Sequence, residues 1–155
     1  MTSTQAFDLK INGEVRQVRA DGATTLLEVL RQQLGLNGAK CGCNQGICGA
    51  CNVLLDGKAV RSCLVIAAMA IDREIETIEG LEQDGELSPM QQAFLDTGAV
   101  QCGFCMPGMV LSATALAREN PKAGVEEIRD AISGNLCRCS GYVKVVDAVR
   151  RVTGA

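Results

Sequence analysis

The stretch "CGCNQGICGACNVLLDGKAVRSC", residues 41–63, decides the fold of this 155-residue chain. It holds five of the nine cysteines, and the chain has no histidine. Thiols clustered in this way favour metal ligation or redox chemistry over structural disulfides in a reducing compartment. A metal site built from four thiolates would use eight cysteines in two copies. Two such sites would leave one cysteine spare.

The composition is that of a globular protein with one domain of ordinary size or two small ones. Hydrophobic residues make up 47% of the chain, and the formal net charge is −3. Because there is no basic surplus, we expect no nucleic-acid partner. The longest apolar run, residues 64–71, is too short for a membrane span, and the start lacks the pattern of a signal peptide. We therefore expect no membrane segment and a cytoplasmic location.

The first eighty residues have the pattern of strands around one helix. Alternating apolar residues, hairpin dipeptides and a helical capping box follow one another along this part of the chain. The predicted elements are a hairpin of residues 7–11 and 14–18, a helix from Leu26 to Leu34, a second hairpin turning at Asp56-Gly57, and a strand over residues 73–78.

The second half is predicted to be helical. Residues 81–87 are acidic and loop-like, and after them the apolar pattern changes to the period of a helix. The predicted helices begin at Pro89, Pro107, Val125 and Val143. We therefore predict an α+β protein, with a sheet domain over residues 1–80 and a four-helix bundle domain over residues 81–155.

Spacing separates a first group of four cysteines. Four residues lie between Cys43 and Cys48, two between Cys48 and Cys51, and eleven between Cys51 and Cys63. Three close cysteines completed by a distant fourth are typical of plant-type ferredoxins. The hairpin brings Cys63 towards Cys51. Because a strict two-residue loop would put these two on opposite faces, we expect a bulge or a longer turn. Cys41 does not fit the spacing and is the spare cysteine.

The second group consists of two pairs, each just outside a predicted helix. Cys102 and Cys105 precede the helix at Pro107, while Cys137 and Cys139 lie between the third and fourth helices. Two loops at one end of a bundle can close a four-thiolate site, and nearby helix N-termini favour its negative charge. Two four-cysteine zinc sites are an alternative, although zinc ribbons usually repeat CxxC twice.

These motifs, "GCNQGICGACNVLLDG", "QCGFCMPGM" and "GNLCRCSGYVKVVDAV", occur in an order that resembles a known family. The chain is similar to the small iron-sulfur subunits of molybdenum hydroxylases, which include xanthine dehydrogenase, aldehyde oxidoreductase, carbon monoxide dehydrogenase and bacterial N-heterocycle dehydrogenases. The resemblance implies a plant-ferredoxin-like β-grasp domain and a four-helix domain, each with one 2Fe-2S cluster. The implied ligands are Cys43, Cys48, Cys51 and Cys63 for one cluster and Cys102, Cys105, Cys137 and Cys139 for the other.

The resemblance also implies a function that depends on partner chains. In the family, a large subunit binds a molybdenum–pterin cofactor, and electrons leave through both clusters to FAD on a medium subunit or to another acceptor. Gln101 and Cys139 match the positions that approach the pterin, whereas Asn52 and Met106 stand where the family usually has threonine. The expected protein is an electron-transfer subunit of a hetero-oligomeric oxidoreductase, with no catalytic site of its own.

Two other functions are compatible with the cysteine pattern. A stand-alone ferredoxin-like shuttle would also carry clusters, but it would be monomeric and would not expose an apolar patch for a fixed partner. A zinc-stabilised interaction module would carry no electrons. Metal content and the exposed surface distinguish these alternatives.

Overall fold

The N-terminal half forms a mixed sheet in the computed structural model, which describes residues 3–154. Its strands are β1 (Gln5–Ile11), β2 (Glu14–Ala20), β3 (Asn52–Leu55), β4 (Lys58–Arg61) and β5 (Glu74–Glu76). They lie in the order β2-β1-β5-β3-β4. The β1–β5 pair is parallel, and the two hairpins and the β3–β5 pair are antiparallel. The predicted strands are confirmed, although β5 is shorter than expected. Two 3₁₀ turns, Ala67–Ala70 and Ile78–Leu81, flank it.

The predicted helix covers one face of the sheet in an unexpected form. Thr25 Oγ1 accepts a hydrogen bond from the Glu28 N–H at 3.2 Å, and the Glu28 carboxylate accepts one from the Thr25 N–H at 2.7 Å, so the capping box is confirmed. Helix α1 (Leu26–Glu28) then widens into a π-helical turn, Val29–Gln33, where a regular helix was predicted. The apolar side chains buried here are Leu26, Leu27, Val29 and Leu30.

The second hairpin turns more tightly than expected. Its loop has two residues, Asp56 and Gly57, which take positive φ values of 51° and 78°, and the ladder beyond it is regular. The predicted bulge or longer turn is therefore wrong. A separate turn over residues 61–64 leaves the ladder instead and carries Cys63 back beside Cys51.

The second half contains the four predicted helices. They are α2 (Pro89–Asp96), α3 (Met106–Glu119), α4 (Val125–Ser133) and α5 (Val143–Thr153). Their buried faces meet in one core that includes Phe94, Met109, Ile128 and Val149. The sheet followed by four helices confirms the α+β class. Within residues 3–154, no helix is both long and apolar enough to cross a bilayer.

The first turn of α2 offers a test of local stability. Ser88 Oγ accepts the Gln91 N–H at 3.3 Å, and the Gln91 side chain accepts the Ser88 N–H at 2.9 Å, as the capping box predicts. Ser88→Ala is expected to lower the free energy of unfolding by about 1 kcal/mol, because it leaves a helix N–H without its partner. Urea unfolding measures this loss, with exposed Ser3→Ala as the control. Equal urea midpoints for Ser88→Ala and Ser3→Ala would contradict the predicted loss of stability.

Strand β3 joins the two halves because both of its faces are buried. Val53 and Leu55 belong to the core beneath α1, whereas Leu54 packs in the helical core. Since neighbouring residues of a strand point to opposite faces, Asn52 lies on the same side as Leu54, towards α3. The sheet is therefore held between α1 on one face and α3 on the other.

Candidate metal centres

The first cysteine loop curls around the Cys43 thiol. Asn44 and Gly49 take positive φ values of 54° and 71°, and this geometry turns backbone N–H groups inward. The N–H groups of Ile47 and Cys48 donate to Cys43 Sγ at 3.3 and 3.4 Å. Backbone donors, first that of Cys48, lower the pKa of the Cys43 thiol to about 6. The loop thus stabilises a thiolate at this position.

Cys51 and Cys63 form a buried pair beneath the loop. They are 3% and 6% exposed, and Ser62 Oγ donates to the Cys51 carbonyl at 2.7 Å. Burial raises the pKa of Cys51 to about 11, and the neighbouring Cys63 thiol adds to the increase. A thiol in such a place gives up its proton when a metal cation takes the proton's position.

The second group lies at one end of the helical bundle. Cys105 is the N-cap residue of α3, and Cys137 and Cys139 lie in the loop between α4 and α5. The sulfurs of Cys102 and Cys139 are 3.6 Å apart. Cys137 Sγ accepts the N–H groups of Cys139 and Ser140 at 3.4 and 3.2 Å. The structure therefore brings together four cysteines from two distant parts of the chain.

Burial and hydrogen bonding give two thiols of this group very different pKa values. Burial opposes the ionisation of Cys137, but the hydroxyl and N–H of Ser140 and the N–H of Cys139 outweigh it and lower the pKa of Cys137 to about 7. Burial, followed by the Cys137 thiol, raises the pKa of Cys105 to about 12. The second group thus resembles the first, since each contains one stabilised thiolate and one buried thiol.

The eight thiols lie in four close pairs: Cys43 with Cys48, Cys51 with Cys63, Cys102 with Cys139, and Cys105 with Cys137. A 2Fe-2S cluster takes two thiolates on each of its two irons, so two pairs in each group match its donor set. On a single zinc ion, four thiolates would all lie about 3.8 Å from one another. Among the described residues, no three His, Cys, Asp or Glu side chains are placed to hold one metal ion. The pairing of the thiols fits 2Fe-2S clusters.

Three of the residues singled out in the sequence, Cys41, Gln101 and Cys139, lie on the exposed rim of these loops, whereas Asn52 and Met106 are buried. Cys41 is exposed and lies outside the four pairs. Gln101 Nε2 donates to the Cys139 carbonyl at 3.0 Å, and both residues are exposed. Gln101 and Cys139 thus form one surface that a partner molecule can reach.

The sequence did not predict the hydrogen-bonded junction between the two cysteine loops. The Leu136 N–H donates to the Cys48 carbonyl at 2.9 Å, and Asn135 Nδ2 donates to the Gly49 carbonyl at 3.1 Å. The residues on either side of this junction are far apart in the sequence. The one signal in the sequence for this junction is a polar residue, Asn135, between the end of α4 and Cys137.

The pKa values predict the order of alkylation in the metal-free chain. Because the thiolate is the reactive form, Cys43 and Cys137 should react with iodoacetamide faster than Cys51 and Cys105. The rate at Cys43 should rise as the pH increases through about 6 and then level off. Fragment mass spectrometry of tryptic peptides after timed labelling measures these rates. Equal rates at Cys43 and Cys51 at neutral pH would contradict the assignment.

Comparisons with known proteins match both halves of the chain. Residues 9–81 match the family described as a 2Fe-2S iron-sulfur cluster binding domain, and residues 77–150 match a second family, described as a 2Fe-2S binding domain. The chain is 50% identical over 148 residues to the nicotine 6-hydroxylase small subunit of Paenarthrobacter nicotinovorans. That alignment covers 96% of this chain and 89% of the relative.

Solved structures include similar chains of two different lengths. Quinoline 2-oxidoreductase from Pseudomonas putida 86 contains a chain that matches with a TM-score of 0.93 and 41% identity, over 97% of this chain and 93% of that one. The aldehyde oxidoreductase from Desulfovibrio desulfuricans matches with a TM-score of 0.92 and 40% identity, over 97% of this chain but only 17% of that one. The same fold thus occurs as a separate small chain and as a segment of a much longer one.

Proposed function

Since the chain belongs to the iron-sulfur subunits of the molybdenum hydroxylase family, we propose that it passes electrons from a partner's molybdenum–pterin centre, through two 2Fe-2S clusters, to FAD or another acceptor. The chain is an electron-transfer subunit of an oxidoreductase. When bound, the clusters supply one-electron redox chemistry. No catalytic residue is assigned to this chain, because the substrate chemistry belongs to the partner.

The observation that carries the proposal is the arrangement of eight thiols in four pairs, with backbone N–H donors directed at Cys43 and Cys137. Such donors stabilise the negative charge of a thiolate-bound cluster. The proposed ligands of the first cluster are Cys43, Cys48, Cys51 and Cys63. The proposed ligands of the second are Cys102, Cys105, Cys137 and Cys139. We also propose two domains, residues 1–80 and 81–155, which the family matches to residues 9–81 and 77–150 support.

Exposed apolar side chains favour a fixed partner over a free shuttle. Ile47, Leu64, Phe104 and Leu136 are 46–63% exposed, and each is next in sequence to a proposed ligand. Single exposed apolar side chains are ordinary, but a set gathered around the redox sites marks an interaction surface. In a complex, these side chains would exclude water from the sites, whereas a free shuttle would leave them in water.

The proposed partners follow from this surface and from the family. A large molybdenum–pterin subunit would meet the exposed rim where Gln101 and Cys139 lie together. A medium FAD-binding subunit would accept the electrons, which gives a hetero-oligomer. The relative from Paenarthrobacter nicotinovorans is itself named as a small subunit, which supports this assignment. We also propose a cytoplasmic location, because eight ligand thiols must stay reduced until they bind metal.

The first experiment is metal analysis of anaerobically purified protein, together with electron paramagnetic resonance after reduction with dithionite. The proposal expects about four irons and four sulfides per chain and two distinguishable signals, with molybdenum in a co-purifying subunit. About two zincs and no signal would overturn it in favour of a zinc-stabilised interaction module. Four irons on a chain that stays monomeric in the presence of cell extract would favour the shuttle.

A further inference from the structure

We propose that Asn135 is a positioning residue that holds the two cysteine loops, and with them the two clusters, in one fixed relation. The proposal rests on the two-cluster function above and extends it to a residue that binds no metal. It concerns the buried contact where the loop after α4 meets the loop that contains Cys48.

Asn135 makes hydrogen bonds to both loops at once. Its side chain, in a residue 1% exposed, donates from Nδ2 to the Gly49 carbonyl at 3.1 Å and accepts at Oδ1 from Ser112 Oγ at 2.9 Å. Its own carbonyl accepts the Tyr142 hydroxyl at 3.0 Å, and that hydroxyl oxygen accepts the Cys137 N–H at 2.8 Å. Asn135 is therefore linked to the first loop through its side chain and to the second through its backbone.

The network continues to a residue next to a proposed ligand of the first cluster. Asn52, which follows Cys51 and is 5% exposed, donates from Nδ2 to Ser112 Oγ at 3.0 Å. A connected network of hydrogen bonds thus runs from Asn52, through Ser112, Asn135 and the Tyr142 hydroxyl, to the Cys137 N–H. Because these side chains are buried, losing one of them leaves its partners without water to replace the bond.

Close backbone contact at the same place limits relative movement of the loops. A Cβ at Gly108 would overlap the Gly49 carbonyl oxygen and would lie 3.1 Å from Asn135 Nδ2. A Cβ at Gly49 would lie 2.5 Å from the Gly134 carbonyl oxygen. The missing side chains of Gly108 and Gly49 therefore allow α3 and both loops to come into direct backbone contact, which lets the short Asn135 side chain span them.

This fixed contact matters because electron transfer between two centres slows steeply as their separation grows. A loop that moved independently would vary the separation of the clusters and their mutual orientation. The hydrogen bonds of Asn135 to both loops oppose such movement, next to the Leu136 N–H bond to the Cys48 carbonyl.

The test compares Asn135→Ala and Ser112→Ala with the control Asn120→Ala in the full chain, purified anaerobically with the subunits that accompany it. Asn120 is also an asparagine of the helical half, but its Nδ2 donates to Glu127 Oε1 at 2.8 Å on the exposed start of α4. Iron and sulfide content and the two resonance signals are measured first, because they test the proposed function itself. The dipolar splitting between the two reduced clusters and the hydrogen exchange of residues 48–52 and 134–138 then test the role of Asn135.

In Asn135→Ala we expect both clusters to be retained, both segments to exchange about tenfold faster, and the splitting to become narrower or more broadly distributed. Ser112→Ala should change both readouts in the same direction by less, and Asn120→Ala should change neither. If Asn135→Ala loses a cluster, the dipolar splitting and hydrogen exchange of Ser112→Ala test the proposal in its place. Unchanged splitting with unchanged exchange, or faster exchange in only one segment, would overturn the proposal. Wild-type protein without iron would instead overturn the proposed function.

Discussion

Cys48→Ser is expected to leave about two irons and two sulfides per chain, half of the wild-type content, and to abolish one of the two resonance signals. Cys48 lies beside Cys43 in one thiol pair, so its loss would leave one iron of the proposed first cluster with a single thiolate. A serine hydroxyl is a much poorer ligand for iron than a thiolate, because its pKa is far higher. The remaining signal then belongs to the cluster in the helical half.

The matched control is Cys41→Ser in the same loop. Cys41 is exposed and lies outside the pairs, so this variant should keep about four irons and both signals. Cys105→Ser should abolish the other signal and keep the one that Cys48→Ser removes. If Cys41→Ser lost iron while Cys43→Ser kept it, the assignment within the first loop would be wrong.

Gly108→Ala is expected to lower the free energy of unfolding by about 3 kcal/mol. Gly108 lies in helix α3, and its φ is not positive, so alanine can adopt the same backbone conformation. The loss of free energy of unfolding therefore comes from the contacts of the new methyl group. The methyl group would overlap the Gly49 carbonyl, and a backbone atom cannot move aside without shifting the whole loop. In a chain of this size, each kcal/mol lowers the melting temperature by about 2 to 4 °C.

Gly134→Ala is the control for this substitution because it lies at the same junction. There the new Cβ would lie 2.6 Å from Nη2 of Arg61, the far end of a flexible side chain that can move. We therefore expect a loss of about 1 kcal/mol in the free energy of unfolding, near the centre of the distribution for point substitutions. Differential scanning fluorimetry on both variants measures the difference. Equal melting temperatures would show that the contact between α3 and the first loop is looser than its geometry indicates.

The close cysteines of the first group could be predicted because their spacing is local and each gap restricts the loop that contains it. The two distant pairs of the second group could be put together because each lies just outside a predicted helix. The helices followed from caps and apolar periods that lie within one segment, as at Ser88 and Gln91. The pairing of thiols within each group could not be derived in this way. Spacing alone does not show that Cys102 meets Cys139 while Cys105 meets Cys137.

The junction between the two cysteine loops could not be predicted from the sequence, for a similar physical reason. Asn52 and Ser112 are 60 residues apart, and Gly49 and Asn135 are 86 apart, so no local pattern connects them. The second hairpin itself was predicted, but the bulge or longer turn expected in it was wrong, because the turn over residues 61–64 that carries Cys63 back has no strong dipeptide signal. Tertiary contacts at such points decide the local geometry.

The burial of β3 on both faces has a consequence for biosynthesis on the ribosome. When a nascent chain has emerged only as far as α2, all five strands of the sheet have been made, but Leu54 and Asn52 have not yet met α3. One face of the sheet then stays open to water until the 23 further residues that complete α3, residues 97–119, are made. The first cysteine loop therefore takes its final shape late in synthesis, and iron-sulfur assembly there is best timed after the helical half has been translated.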